Sequence, residues 1–366
     1  MKIGICAFPL SVGNESGRGL ERVIHEFCSY LGPENLTFDI YQNKALKDLK
    51  GSASFKNELN SIFSSITYLL MLNRTKNKCY FATYPVAALF PVFLHKKPLV
   101  TVVHDLIPFF VKGYDNQVKY SLKRFCIKYA CTKSDVLIVP FSSTKQKIIE
   151  LFHVEEKKIK IIPYGVNHTT YFFDSSIPRK KNAIAFLGEA KRAKGLDSLI
   201  KAFAMVRKNI PDATLIIASS GNELKQMQQL AHAFLPTGSY EFVGFIPEGE
   251  MHEFYNSCSL FIFPSRYGFG LSALEAMACG VPTIAGATLD SLDFLYDKDI
   301  LVNPDDIDEI AAKITRLLSD VPLYKEKTRQ ALEIAGKYSW TIMAEKYYNT
   351  CLSLISKNNE ETAKIF

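Results

Sequence analysis

Nowhere does the chain hold the ~18 consecutive apolar residues that a membrane-spanning helix needs. Its eight cysteines are scattered, with no C-x-x-C pair and no Cys/His cluster at metal-ligand spacing. Cys6, Cys258 and Cys279 lie inside apolar runs and read as buried, reduced thiols of a cytoplasmic protein. No repeat at a solenoid period occurs, which excludes stacked-repeat architectures. No aromatic-interleaved basic motif of a known nucleic-acid-binding module is read in the sequence, so a nucleic-acid partner is not expected. Residues 1–10 are apolar but carry Lys2 and no small-residue cleavage site, so they read as a first buried strand and not as a signal peptide.

What is present is material for two cores. The 366 residues exceed one ordinary α/β domain, 48% are hydrophobic, and charged residues at 22% argue against disorder. The net charge of +7 is uneven. Residues 1–178 hold 23 Lys and Arg against 14 Asp and Glu, and the rest hold 21 against 23. A basic first half suggests an anionic partner, such as a membrane surface or a phosphorylated acceptor, with plain solvated lysine as the equal alternative.

Short β-rich runs alternate with helical-period segments, the pattern of parallel sheets with crossover helices. Strands are expected at 2–8, 38–42, 78–83, 99–104, 136–140 and 160–163, with helices at 20–31, 57–72, 118–132 and 143–152. The polar segment 168–182, with Pro178 and the cluster Arg179-Lys180-Lys181, reads as an interdomain linker. A second set of strands follows at 183–188, 214–219, 240–244, 260–264, 283–287 and 300–302, again with helices between them. A last helix near 341–356 has a half-apolar, tyrosine-rich face that suits either domain. Doubly wound sheets bind ligands outside the carboxyl ends of their strands, so the active site is expected between the two domains.

The stretch 263–282 carries the most chemistry. A buried strand runs into a tight turn with Gly268 and Gly270, then into a short helix. The amides of Leu271 and Ser272 would stand at the helix N-terminus, a ready site for a diphosphate. Glu275, one turn in, has a carboxylate suited to a ribose diol, and Gly280 and Pro282 end the helix. Two Asp-x-Asp strings, Asp297-Lys298-Asp299 and Asp306-Ile307-Asp308, fall where a turn or a helix cap explains them better than a metal does.

With these residues in view, the string 261–282 resembles the donor-binding signature of glycosyltransferase family 4, retaining enzymes of GT-B fold. Gly188 with Lys194-Gly195-Leu196-Asp197, then Phe242-Val243-Gly244-Phe245-Ile246-Pro247, then Tyr164-Gly165-Val166-Asn167 match further pieces in the family's order, and Tyr338-Ser339-Trp340 resembles the start of its C-terminal helix. The resemblance implies an α/β fold of two Rossmann-like, doubly wound parallel-sheet domains facing across a cleft. An acceptor-binding domain would span 1–175, with a C-terminal helix of about 342–366 packing back on it, and a donor-binding domain would span 176–341. Residue by residue, it implies a ribose contact for Glu275, a diphosphate contact for Lys194, and a diphosphate loop at Gly188, Gly270, Leu271 and Ser272. Gly17 and Gly19 match the family's first glycine loop, although a simple turn explains them equally well. His104, at the end of a buried strand, matches a histidine near the donor sugar. His104 and Lys194 are therefore the candidate catalytic residues. No cofactor or metal is implied, since the nucleotide sugar is itself the substrate.

Two departures stand out. Glu189 occupies the place of an arginine that would face the diphosphate, and this disfavours binding unless Lys191, Arg192 or Lys194 compensates. Eight residues before Glu275 stands Tyr267, so the family's first glutamate is missing or a residue has been deleted before Gly268. The resulting expectation is a hexosyltransferase acting on a saccharide or lipid-linked saccharide in surface polysaccharide synthesis, cytoplasmic or on the inner face of the cell membrane. GDP-mannose is the expected donor, from the likeness of the 103–108 string to family members working on surface polysaccharides. The alternative is a catalytically weak or inactive subunit that binds nucleotide or acts as a partner.

Overall fold

The computed structural model describes residues 2–6, 27, 30, 37–41, 72, 76–110, 117–267, 270–288, 290, 293, 295 and 297–363. The expected helices at 20–31 and 57–72 lie almost wholly outside these residues, as do Gly17, Gly19 and Gly268.

The β-rich runs form two six-stranded sheets in which every pairing is parallel. The first contains β1 (Lys2–Cys6), β2 (Thr37–Tyr41), β3 (Cys79–Ala82), β4 (Leu99–Val102), β5 (Val136–Val139) and β6 (Ile159–Ile161), in the order β2-β1-β3-β4-β5-β6. The second contains β7 (Ala183–Leu187), β8 (Thr214–Ala218), β9 (Tyr240–Phe242), β10 (Leu260–Phe263), β11 (Thr283–Gly286) and β12 (Leu301–Val302), in the order β12-β11-β10-β7-β8-β9. Every residue of β3, β4, β5, β10 and β11 is buried. Parallel strands covered on both faces read as apolar runs and not as alternations, which is why they stand out in the sequence.

In the second sheet the order reverses between β7 and β10. The chain winds outward from β7 through β8 and β9, then returns to the other side of β7. In the first sheet the same reversal falls between β1 and β3. At such a switch point the connections that follow adjacent strands cross to opposite faces of the sheet, which leaves a crevice outside the carboxyl edge.

The chain divides into two units: Met1–Tyr164 with Trp340–Phe366, and Gly165–Ser339. The first boundary thus lies eleven residues before the expected 175/176, and the second lies at 339/340. The segment expected to be a linker, 168–182, packs within the second unit. Tyr171 is fully buried, with its ring 5.8 Å from that of Tyr255. Arg179 donates to the carbonyls of Cys279 and Gly280 at 2.9 and 2.8 Å. Both partners are far away in sequence, so the polar local composition concealed the docking.

The first unit carries α1 (Leu89–Phe93), α2 (Ile107–Phe110), α3 (Gln117–Lys133) and α4 (Ser142–Phe152). The second carries α5 (Leu196–Asn209), α6 (Leu224–Phe234), α7 (Met251–Asn256), α8 (Leu271–Ala278), α9 (Ile307–Ser319) and α10 (Val321–Gly336). The last helix, α11 (Trp340–Ala363), belongs to the first unit, where the buried Tyr347 ring lies 5.5 Å from Phe27 and 5.4 Å from Phe81.

The two Asp-x-Asp strings do structural work. Asp306 caps α9 by accepting from the Glu309 amide at 2.9 Å. Asp297 accepts from the Asp299 amide at 2.9 Å and pairs with the buried Lys327, and Asp299 pairs with Arg316 at 2.8 Å.

Candidate functional site

The candidate residues of the second unit gather at its switch point. The 188–195 loop leaves β7 and the 264–270 loop leaves β10, and these two strands are hydrogen-bonded neighbours. One glycine allows the loops to approach, and a second allows the end of the β10 loop to pack on the Phe263 ring. Gly195 has φ +73° and stands so close to the Pro264 carbonyl that a Cβ would clash with backbone. Gly270 has φ +84°, and a Cβ there would lie 2.7 Å from Cε1 of Phe263. A side chain at Gly195 forces the two loops apart, and one at Gly270 displaces the Phe263 ring.

Arg266 fastens the loops together. Its amide donates to the Ala193 carbonyl at 2.9 Å, and its guanidinium donates to the Arg192 carbonyl, to Asp197 at 3.1 Å and to Ser198 at 3.0 Å. Asp305 accepts from the same guanidinium at 2.7 Å. Charge-assisted bonds of this kind are worth about 1.5–3 kcal/mol each before solvent screening. Sequence reading missed this residue. The signal was an unmatched arginine in one loop and an aspartate, Asp197, in the other.

Lys194 ends the short 3₁₀ turn Arg192–Lys194, and its ammonium lies 5.4 Å from the centre of the Phe263 ring. The ring that fixes this ammonium is also the one that Gly270 packs against. Gly270 is the N-cap of α8 and supplies no side-chain acceptor, so no side chain caps the first turn of α8 from that position. Gly188 follows β7 directly, with its carbonyl accepting from Ser219 Oγ at 2.7 Å.

Glu275 is buried one turn into α8 and accepts a hydrogen bond from Tyr255 at 2.9 Å. Burial, and then the neighbouring Glu275, push the Tyr255 hydroxyl well above its usual range, so it stays protonated and donates. Tyr255 thereby fixes the orientation of the Glu275 carboxyl. The sequence carried no signal for this partner, which stands on α7, twenty residues before Glu275.

The two departures resolve differently. Glu189 pairs with Lys191 at 2.8 Å, so the misplaced anion is neutralised by the residue two positions on. Tyr267 is exposed, and its backbone is held by Ser265, which donates to the Tyr267 carbonyl at 2.6 Å.

In the first unit, His104 follows β4 beside the β1/β3 switch point. Its Nε2 lies 2.8 Å from the Thr83 carbonyl and its Nδ1 lies 2.7 Å from the Tyr164 hydroxyl. A carbonyl only accepts, so Nε2 carries the proton and Nδ1 accepts from Tyr164. Desolvation lowers the His104 pKa from 6.5 to about 4, against the opposing bond to Thr83. A base whose folded pKa is depressed contributes stability that is fully present above the unfolded value and is lost as pH falls from 6.5 towards 4. The imidazole Cε1 proton is expected to titrate by NMR near pH 4. A midpoint near 6.5 would show that the ring is solvated and not held by Thr83 and Tyr164.

The family description "Glycosyl transferases group 1" matches residues 167–337, and "Glycosyltransferase Family 4" matches residues 17–170. Among curated relatives, a serotype-specific mannosyltransferase WbdA of Escherichia coli is 26% identical over 284 residues, 72% of this chain. The aligned part makes up 34% of that relative, so the chain spans about a third of its length. Among solved structures, the sucrose-phosphate synthase of Thermosynechococcus elongatus superposes with a TM-score of 0.79 at 19% identity, covering 97% of this chain and 99% of the other. Anabaena Alr3699/HepE, solved in complex with UDP and glucose, gives 0.76 at 17% identity, covering 97% and 100%. The fold is therefore GT-B, and the two family matches, which overlap at 167–170 and together span residues 17–337, show that it belongs to glycosyltransferase family 4.

Proposed function

We propose that the chain is a retaining glycosyltransferase that moves a hexose from a nucleoside-diphosphate sugar to a saccharide or lipid-linked saccharide in surface polysaccharide or glycoconjugate synthesis. The observation that carries the reading is the joined pair of loops at the β7/β10 switch point, with Lys194, the α8 N-terminus and Glu275 on them. The Gly270, Leu271 and Ser272 backbone and Lys194 would face the diphosphate, with Gly188 leaving room for it, and Glu275 would take the ribose hydroxyls. Cleavage of the bond from the anomeric carbon to the phosphate oxygen leaves an oxocarbenium-like sugar and a diphosphate anion. The acceptor oxygen then bonds the anomeric carbon, and its proton passes to the leaving phosphate. The protein's part is stabilisation of the leaving charge and orientation of the acceptor.

His104 is the group assigned to the sugar side, as a fixed neutral ring and not a proton carrier, because both its nitrogens are engaged. Mannose from GDP-mannose is the favoured donor; the mannosyltransferase relatives support it, and the UDP-containing structural neighbours make UDP-glucose its competitor. The lipid-linked acceptor goes with work at the cytoplasmic face of the membrane. GDP-, UDP-, dTDP- and ADP-sugars offered with lipid-linked saccharides test the reading. Turnover or slow hydrolysis of one donor is expected, and no consumption of any donor would favour an inactive nucleotide-binding subunit.

Arg266→Gln removes the fastening while keeping a polar side chain. It is expected to lower kcat/KM by about 10- to 100-fold, because small displacements of a positioned group cost that much. Steady-state kinetics check this, and unchanged kinetics would mean that Lys194 is positioned without Arg266.

A further inference from the structure

Helix α3 is apolar on two faces. Cys126, Ile127, Ala130 and Cys131 are buried inward against the first sheet's core. On the opposite face Leu122 is 51% exposed and Phe125 is 58% exposed, with Tyr129 stacked on Phe125 at 5.6 Å. The spacing i, i+3, i+7 places these three in one outward stripe. The two short helices packed against α3 add exposed aromatics, Phe93 on α1 and Phe110 on α2. Folding buries one stripe of a surface helix and gives no reason for the second.

The charges that α1, α2 and α3 themselves carry are of one sign, with Asp105 before α2 and Glu150 on α4 as acidic neighbours. Helix α3 contains Lys119, Lys123, Arg124, Lys128 and Lys133 and no acidic residue, and α1 and α2 contain none either. Cations also sit directly on aromatic faces, with Arg124 over Phe109 at 4.9 Å and Lys147 over Phe110 at 5.0 Å. An apolar stripe on a helix ridge flanked by lysine and arginine matches the boundary between headgroups and acyl chains of an anionic bilayer, which offers negative charge above and hydrocarbon below. Among the described residues no helix is long and apolar enough to cross a membrane, so the contact is one of lying on the surface.

We infer that the outward face of α3, with Phe93 and Phe110 beside it, seats the first unit on an anionic lipid surface. Helix α2 begins three residues after His104, so the same surface borders the strand end at which His104 stands. The inference deepens the proposal of a lipid-linked acceptor and names where the membrane lies against the unit. Vesicle binding needs neither nucleotide nor acceptor, so it succeeds or fails separately from sugar transfer.

The test is co-sedimentation of the full chain with vesicles of phosphatidylcholine alone and of phosphatidylcholine mixed with phosphatidylglycerol, at low and high salt. Binding to the mixed vesicles is expected, weakened by salt. A Leu122→Ser/Phe125→Ser variant is expected to partition at least about tenfold less, because interfacial binding scales with buried apolar area. A Lys128→Gln/Lys133→Gln variant is expected to lose affinity for the mixed vesicles and leave the weak binding to phosphatidylcholine unchanged. These side chains point to solvent, and equal thermal melting would confirm that the variants fold. Transfer to a soluble saccharide would be unaffected by the Leu122/Phe125 changes. Failure of the wild type to bind mixed vesicles, or equal binding by the Leu122/Phe125 variant, would overturn the inference. So would a self-association of the wild type that this variant abolishes, since it would give the stripe to a second copy of the chain.

Discussion

Lys194→Ala is expected to lower kcat by about 10²- to 10³-fold, with a smaller change in KM for the donor. The leaving diphosphate gains negative charge as the sugar bond breaks. A fixed cation is therefore worth more in the transition state than in the ground state. Lys194 is fixed from several directions. It ends a one-turn helix, its ammonium lies against Phe263, and the Arg266 guanidinium bonds the carbonyl two residues before it. Removing the side chain leaves the Gly195–Pro264 approach and the Arg266 bonds in place, so stability should change little. Single-turnover and steady-state measurements with the preferred donor check the effect. A fall in donor affinity with kcat unchanged would mean that the lysine binds the ground state only.

Glu275→Gln is expected to weaken nucleoside-diphosphate binding by about 10- to 100-fold, the value of one or two hydrogen bonds to a charged acceptor. The substitution keeps an acceptor for the buried Tyr255 hydroxyl, so it tests the ligand contact without orphaning that donor. Glu275→Ala would confound the two, because it leaves Tyr255 unsatisfied in the core. Tyr255→Phe is the complementary control. It leaves the carboxyl in place but frees its orientation, and a loss of only severalfold is expected. Equal affinity in Glu275→Gln and wild type, by calorimetry, would remove the ribose contact from the account.

Most of the fold was legible because its strands are parallel and buried on both faces. Each of the twelve expected strands has its counterpart within a few residues, from the Lys2–Cys6 strand to the Leu301–Val302 strand. The close packing of the two loops was legible where backbone conformation demanded glycine. Gly195 and Gly270 are glycine because their neighbours leave no room for a Cβ. The unit boundary was not legible. The 168–182 segment looks like a polar linker until Tyr171 and Arg179 find partners about 84 and 100 residues on. Tyr255 was invisible for the same reason, and Arg266 left only the weak signal of an arginine and Asp197 in separate loops, since both roles depend on which distant loop or helix lies beside them. Glu189 looked like a defect from its neighbours in sequence, and Lys191, one of the three cations weighed as compensation, is its partner at 2.8 Å. His104 was found by position, but its engaged nitrogens and its pKa lowered to about 4 came only with Thr83 and Tyr164 in place.

Isothermal titration of the wild-type chain with UDP, GDP, dTDP and ADP tests whether the loops leaving β7 and β10 hold a nucleoside diphosphate. Saturable binding of at least one of them, GDP first, is expected, with a marked preference for the diphosphate over the bare nucleoside and a weakening in both Lys194→Ala and Glu275→Gln. Absence of binding by all four, or binding that ignores both substitutions, would contradict this role for the loops.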